Sequence, residues 1–270
     1  MRRVIRAFSA IERGVFASLA LVAIALTGCT GGSGPAESFQ QIGEAAASGD
    51  LTSAYDQALP ASYKTEVDAL ITKATGLINE QEHAKITQLA KRAGGMLATM
   101  LAPMATEKPE LKPRLDDLSD LPKLLGIDTY AAFTSLKARA LIDSLATRVV
   151  KKALAAQGED APSAPKVELV KTEGDSATIK VSEAGAAAGS PAQEIALTKV
   201  EGKWLPAEMV AQWKPTLAEI DQQLAAFAEA KKQDPEIVMR TLEEIEGSLD
   251  EALGSLILGA SQLGNFGFGN

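Results

Sequence analysis

The stretch "KVELVKTEGDSATIKVS", residues 166–182, decides the fold. Val167 and Leu169 alternate with charged residues, and beyond the turn-like "EGD" at 173–175, Ala177, Ile179 and Val181 alternate with Thr178 and Lys180. A period of two belongs to extended chain, whose successive side chains point to opposite faces, so two such runs around a tight polar break predict an antiparallel strand pair. Toward the C-terminus, the loop "EAGAAAGSPA" leads to a third run at Ile195 and Leu197. Glu201 and Gly202 then turn the chain into Lys203, Trp204 and Leu205, ended by Pro206. Residues 166–206 thus predict a small antiparallel meander of about four strands with one buried face.

On both sides of this segment the apolar period is helical. Upstream, residues 36–157 read as a helical region. Phe39, Ile42 and Ala46 mark a first helix ending near Gly49, and Leu51, Ala54, Tyr55, Ala58 and Leu59 mark a second, closed by Pro60. Val67, Leu70, Ile71, Ala74, Leu77 and Ile78 carry a third. Ile86, Leu89, Ala90, Ala93, Met96, Leu97 and Met100 carry a fourth as far as Pro103. Residues 106–120, with Pro109 and Pro113, read as a connection. One long helix follows over 128–157, with Ala138, Leu141, Leu145 and Val149 inward. Downstream, residues 213–258 carry two stripes spaced by fours and threes, Trp213 to Phe227 and Val238 to Leu256, which predict an antiparallel helical hairpin. The tail, 259–270, has no core pattern and reads as disordered, with Phe266 and Phe268 as a short sticky peptide. The expected fold class is α+β, mostly helical, with the sheet packed on the helices.

The first residues follow a different logic. Arg2, Arg3, Arg6 and Arg13 against the single acid Glu12 precede an almost unbroken apolar run from Val15 to Leu26. That run is about twelve residues, short of the ~20 a membrane-crossing helix needs, so residues 1–28 read as an export signal. The chain has 27 basic and 35 acidic residues; removing 1–28 takes four and one of them, leaving 23 against 34, a net charge of −11. So acidic a chain lacks the cationic footprint that nucleic acid demands, and basic proteins, peptides or cations suit it better.

The lone cysteine, Cys29, ends the apolar run in "LTGC". Leu26, Thr27, Gly28 and Cys29 resemble the lipobox of bacterial lipoprotein precursors. The resemblance implies cleavage before Cys29, diacylglycerol on its thiol and an acylated amino group, a multi-chain anchor where one chain alone would be marginal. Thr30 in place of aspartate implies, by the same resemblance, sorting to the outer membrane and a periplasmic orientation. Residues 29–35 then form a flexible glycine-rich tether. A mature chain without another cysteine needs no disulfide in an oxidising compartment.

A second resemblance is shorter. Gly49, Asp50, Ala54 and Tyr55, with Gly202, Lys203 and Trp204, are similar to phrases of uncharacterised bacterial lipoproteins with NTF2-like, cystatin-like domains. It implies a helix packed against a curved sheet, and by itself no activity.

The chemistry-bearing residues point away from catalysis. His83, the sole histidine, lies in the polar stretch "NEQEHAK" and reads as solvated, and no nucleophile elbow, phosphate loop or cysteine pair for metal accompanies it. Met96, Met100 and Met104 share a helical face, where thioethers bind Cu(I) or, more ordinarily, fill a core. Asp116, Asp117 and Asp120 offer oxygen ligands without the glycine and bidentate glutamate of a calcium loop. Glu243, Glu244 and Glu246 read as an exposed charged stripe. No cofactor motif appears. The expected function is a non-enzymatic, lipid-anchored envelope protein that binds or scaffolds another envelope protein, attached to the membrane through Cys29. The alternative is a carrier or sensor of a small apolar ligand in a pocket between the sheet and the helices, lined by Tyr55, Met96, Met100 and Trp204.

Overall fold

The structure, a computed structural model, describes residues 34–107, 112, 119–145, 164–182 and 192–250. The signal segment, Cys29 and most of the tether, Asp116 and Asp117, the 146–157 half of the expected long helix and everything beyond 250 lie outside the described residues. The chain divides into two compact units, one of residues up to 77 with 131–227, the other of 78–130 with residues from 228 onward.

The first unit contains the sheet. Strands β1 (Lys166–Glu173), β2 (Ser176–Ser182), β3 (Gln193–Val200) and β4 (Lys203–Pro206) form one four-stranded antiparallel sheet in the order β1-β2-β3-β4, as the alternation predicts. Helices α1 (Pro35–Ala47) and α2 (Leu51–Ala58) cover one face. There Phe39, Ile42, Ala54 and Ala58 pack with Ala177, Ile179, Leu197 and Trp204, all buried. A second cluster joins Tyr55 and Leu59 to Tyr63 and Val67 of α3 (Ala61–Gly76), to Leu205, and to Met209 and Trp213 of α8 (Ala207–Gln233). Adjacent residues Trp204 and Leu205 point to opposite faces of β4, and each enters a different cluster. Each fully buried Ile or Leu contributes about 1.5–3 kcal/mol by leaving water.

Two short phrases set this geometry. Gly49, at φ 76, takes the left-handed position after α1, so that its N–H reaches the Ala46 carbonyl (3.0 Å) and the Asp50 N–H reaches Ala45 (2.8 Å), the paired bonds of a Schellman ending. Asp50 then caps α2, its Oδ1 accepting from the Ser53 N–H at 3.1 Å and its Oδ2 from the Ser53 hydroxyl at 2.7 Å. Between β3 and β4, Glu201 (φ 49) and Gly202 (φ 78) are both left-handed, as a two-residue type I′ hairpin requires.

Glu201 is the costlier of the two, and its side chain explains it. Helix α3 begins after Pro60, which offers no capping acceptor, and Glu201 Oε2 accepts from the Ser62 N–H at 3.4 Å instead. Hydrogen bonds from the Ser62 side chain and backbone hold its carboxyl below the ordinary range. A depressed folded value stabilises above the unfolded value and is lost as pH falls through the folded one. Glu201→Gln is therefore expected to lower the melting temperature at neutral pH, and the gap should close in acid, below the usual carboxylate pKa of about 4.3. A gap independent of pH would mean that the cap does not depend on the charge.

Three expectations are corrected. The helix predicted over 128–157 is broken into α6 (Tyr130–Thr134) and α7 (Ala138–Leu145). Thr134 and Ser135 hydroxyls turn back onto the carbonyls of Ala131 and Ala132, competing with the helical ladder, and α7 restarts where Asp68 Oδ1 accepts from the Ala138 N–H at 2.9 Å. The fourth helix, α4 (Glu80–Glu107), runs past position 103 instead of stopping there. Helix α8 starts at Ala207, directly after β4, and carries Pro215 in its interior at an exposed position. The proline removes the donor for the Ala211 carbonyl, and Ala211 is an exposed residue.

The second unit contains α4, α5 (Leu121–Leu124), the end of α8 and a last helix, α9, over residues 237–250. The two stripes expected to face each other in a hairpin are buried in different units: Trp213, Ile220, Leu224 and Phe227 in the first, Val238 and Leu242 in the second. Within the second unit, α9 is joined to α4 by charge. Glu246 accepts from Lys85 at 2.5 Å and lies 3.5 Å from Arg92, which also pairs with Asp250. Glu246 is thus an inward partner of two cations and not part of a solvated stripe, while the seam residue Ile245 is 38% exposed.

Candidate functional site

Tyr55 and Trp204 lie in the first unit, and Met96 and Met100 on α4 in the second, so neither unit brings the four proposed lining residues together. Tyr55 is 2% exposed in the cluster shared by α2, α3 and α8. Burial first, then the carboxylates of Asp68 and Asp56, push its phenol far above its ordinary pKa. Lys64 Nζ stands 5.2 Å from its ring centroid. Trp204 packs in the other cluster, beneath α1 and α2, with Lys199 Nζ 5.5 Å from its ring. Both aromatics therefore serve as core with a cation against one face. Met96 is half-buried and Met100 is 53% exposed.

Lysines converge on the end of α2. Lys203 Nζ donates to the carbonyls of Asp56 (3.1 Å) and Gln57 (2.8 Å), and Lys64 Nζ donates to the Asp56 carbonyl at 2.9 Å. A helix leaves its last carbonyls without partners and places partial negative charge there, so these two cations complete α2. In the "EGKW" phrase, glycine makes the turn, lysine closes a helix end and tryptophan fills the core.

The sequence reading missed the polar centre of the second unit. His83 is buried, at 4% exposure, and not solvated. Its Nε2 lies 2.9 Å from the Ile127 carbonyl, and its ring tilts against Tyr130 with centroids 5.7 Å apart. The Tyr130 hydroxyl donates to the Ile78 carbonyl at 3.0 Å. Next to His83, the side chain of Glu82 is 1% exposed. Its Oε2 accepts from the Asn79 N–H at 2.8 Å and from Lys231 Nζ at 2.5 Å, while Asn79 Oδ1 accepts from the Glu82 N–H at 2.9 Å. This is a reciprocal capping box, with asparagine in the place more often held by serine or threonine. The N-x-x-E spacing at the head of a helical pattern was the legible signal; nothing in the sequence pointed to Lys231.

Chemically, this arrangement fixes α4 at its first turn and ties it to the end of α8. Among the described residues, no group of three or more His, Cys, Asp or Glu side chains could hold a metal ion, and no helix is long and apolar enough to cross a membrane. The chain matches no protein-family model, no curated protein and no solved structure.

Proposed function

We propose that the chain is a non-enzymatic lipoprotein of the bacterial envelope, anchored through Cys29 on the periplasmic face of the outer membrane, where it binds or scaffolds another envelope protein. The observation that carries this reading is the order of the first residues: a basic segment, an apolar run too short to span, Leu26-Thr27-Gly28-Cys29, and a glycine-rich tether up to the first helix at Pro35. Leu97 and Met100, one turn apart on α4 and 45% and 53% exposed, support a protein-binding face, since large apolar side chains grouped in solvent commonly mark contact surfaces. The net acidity of the chain favours a basic partner.

Intact-mass analysis of the membrane fraction tests the anchor. The mature protein is expected to begin at Cys29 with added acyl mass, and Cys29→Ala should leave an unprocessed or unanchored chain. Equal membrane retention and identical processing of wild type and Cys29→Ala would overturn the anchor. In-cell crosslinking tests the partner, which should be recovered with wild type and lost with Met100→Glu. Recovery of nothing above the Cys29→Ala control would count against scaffolding.

A further inference from the structure

β1 is the edge of its sheet, and among the described residues no strand pairs with it on the side away from β2. All of its residues except Val167 are exposed, including Leu169 at 50% and Val170 at 51%. An exposed edge is a template for another strand, and lysines or a bulge on it oppose pairing with any strand that does not match them.

The pairing register shows what this edge fits. Leu169 lies opposite Ile179 but Lys171 lies opposite Thr178, so Val170 is the extra residue of a β-bulge. The bulge changes which side chains share a face. Strict alternation would put Lys166 and Glu168 on one face and Lys171 and Glu173 on the other. With the slip, all four stand on the face of Ser182, Lys180, Thr178 and Ser176, while Val167, Leu169 and Thr172 stand over Val181, Ile179 and Ala177 toward the core. The ion pairs Lys166–Glu168 at 2.7 Å and Lys171–Glu173 at 3.8 Å confirm that each couple shares a face.

Read along the strand, this outer row is cation, anion, bulge, cation, anion. A two-fold axis through the bulge reverses it. Lys166 then meets Glu173 of the other copy, and Glu168 meets Lys171, so every cation faces an anion in both halves. A two-fold contact requires that if residue i meets j, j also meets i, and this row satisfies that in charge. We infer that β1 is the site where two copies of this chain pair edge to edge, antiparallel about the Leu169–Val170 bulge, making one continuous sheet. Backbone hydrogen bonds between the strands supply the affinity, and the charge row sets the register. In the same register the half-exposed Leu169 of each copy meets Val170 of the other, on either side of the axis. At one end of the strand the Val167 N–H is accepted by Gln40 Oε1 at 3.2 Å, and pairing exchanges that acceptor for a carbonyl of the second copy.

The test uses the full chain in detergent, as an equal mixture of unlabelled and ¹⁵N-labelled protein, treated with a zero-length carboxylate–amine crosslinker and followed by sedimentation equilibrium. A dimer is expected, with mixed-isotope crosslinks joining 166 to 173 and 168 to 171. Glu168→Lys sets like charges against Lys171 in both halves and should weaken the dimer about tenfold. Adding Lys171→Glu restores opposite charges and should restore the dimer, which a folding defect would not do. A chain that is monomeric at every concentration, a dimer indifferent to Glu168→Lys, or crosslinks confined to single-isotope chains would overturn the inference.

Discussion

Trp213→Ala is expected to remove about 3–5 kcal/mol from the sheet-bearing unit, the range for emptying a large aromatic site. Trp213 is 1% exposed and lies face to face with Tyr63, ring centroids 4.1 Å apart and planes within 8°. Around it are Tyr55, Leu59, Val67, Ala138, Ile142, Leu205 and Met209, contributed by α2, α3, α7, β4 and α8. Its Nε1–H donates to Glu66 Oε2 at 2.6 Å, and the other carboxylate oxygen takes Lys214. Truncation therefore opens a cavity at the meeting point of five elements and removes a charge-assisted hydrogen bond from Glu66. The loss should appear as an earlier urea transition in the fluorescence of Trp204, the other tryptophan of the chain. Trp213→Phe keeps most of the apolar volume and should cost less than half as much. An alanine variant within about 1 kcal/mol of wild type would show that this cluster is not the stabilising core, since well-packed sites do not tolerate such a void.

The sequence revealed the fold where one local period dominates, and failed where a distant residue decides. Alternation at 166–206 and the stripe from Trp213 to Phe227 could be read because burial of one face imposes its own spacing on the chain. Gly49 and Gly202 could be read because their left-handed backbone positions favour glycine. The break at 135–137 could not, because it depends on Asp68 capping α7 from seventy positions away. The slip at Val170 leaves only a trace, the adjacent apolar pair Leu169 and Val170 across which the charges change parity from 166 and 168 to 171 and 173, and the pairing with β2 shows that it is a bulge. His83 and Glu82 were hidden by composition. A polar stretch reads as solvated until a partner in a remote helix pays for its burial, and Lys231 lies 149 positions from Glu82. The outer face of α4 also departed from the reading, since Leu97 and Met100 fit the apolar period but stand in solvent.

The same buried pair gives the second large effect. Lys231→Met is expected to cost the second unit about 3–5 kcal/mol, because it leaves the Glu82 charge buried without its counterion. The carboxylate is 1% exposed, its Oε2 would retain only the Asn79 N–H, and its Oε1 is buried without a hydrogen-bond partner. Hydrogen exchange should accelerate in residues 80–92 and 237–250, while the Trp204 and Trp213 fluorescence transition, which reports the other unit, moves little. A double variant separates charge from packing. Glu82→Gln removes the charge but can still accept from the Asn79 N–H, as glutamine does in capping boxes. Combined with Lys231→Met it should therefore recover most of the loss, because a buried ion pair exchanged as a whole for neutral groups is often nearly neutral in stability. A double variant no better than Lys231→Met would assign the cost to the packing of the lysine stem. A single variant as stable as wild type would mean that water reaches Glu82 as soon as the lysine is gone, and that the pair holds α4 and the end of α8 in register without adding to their stability.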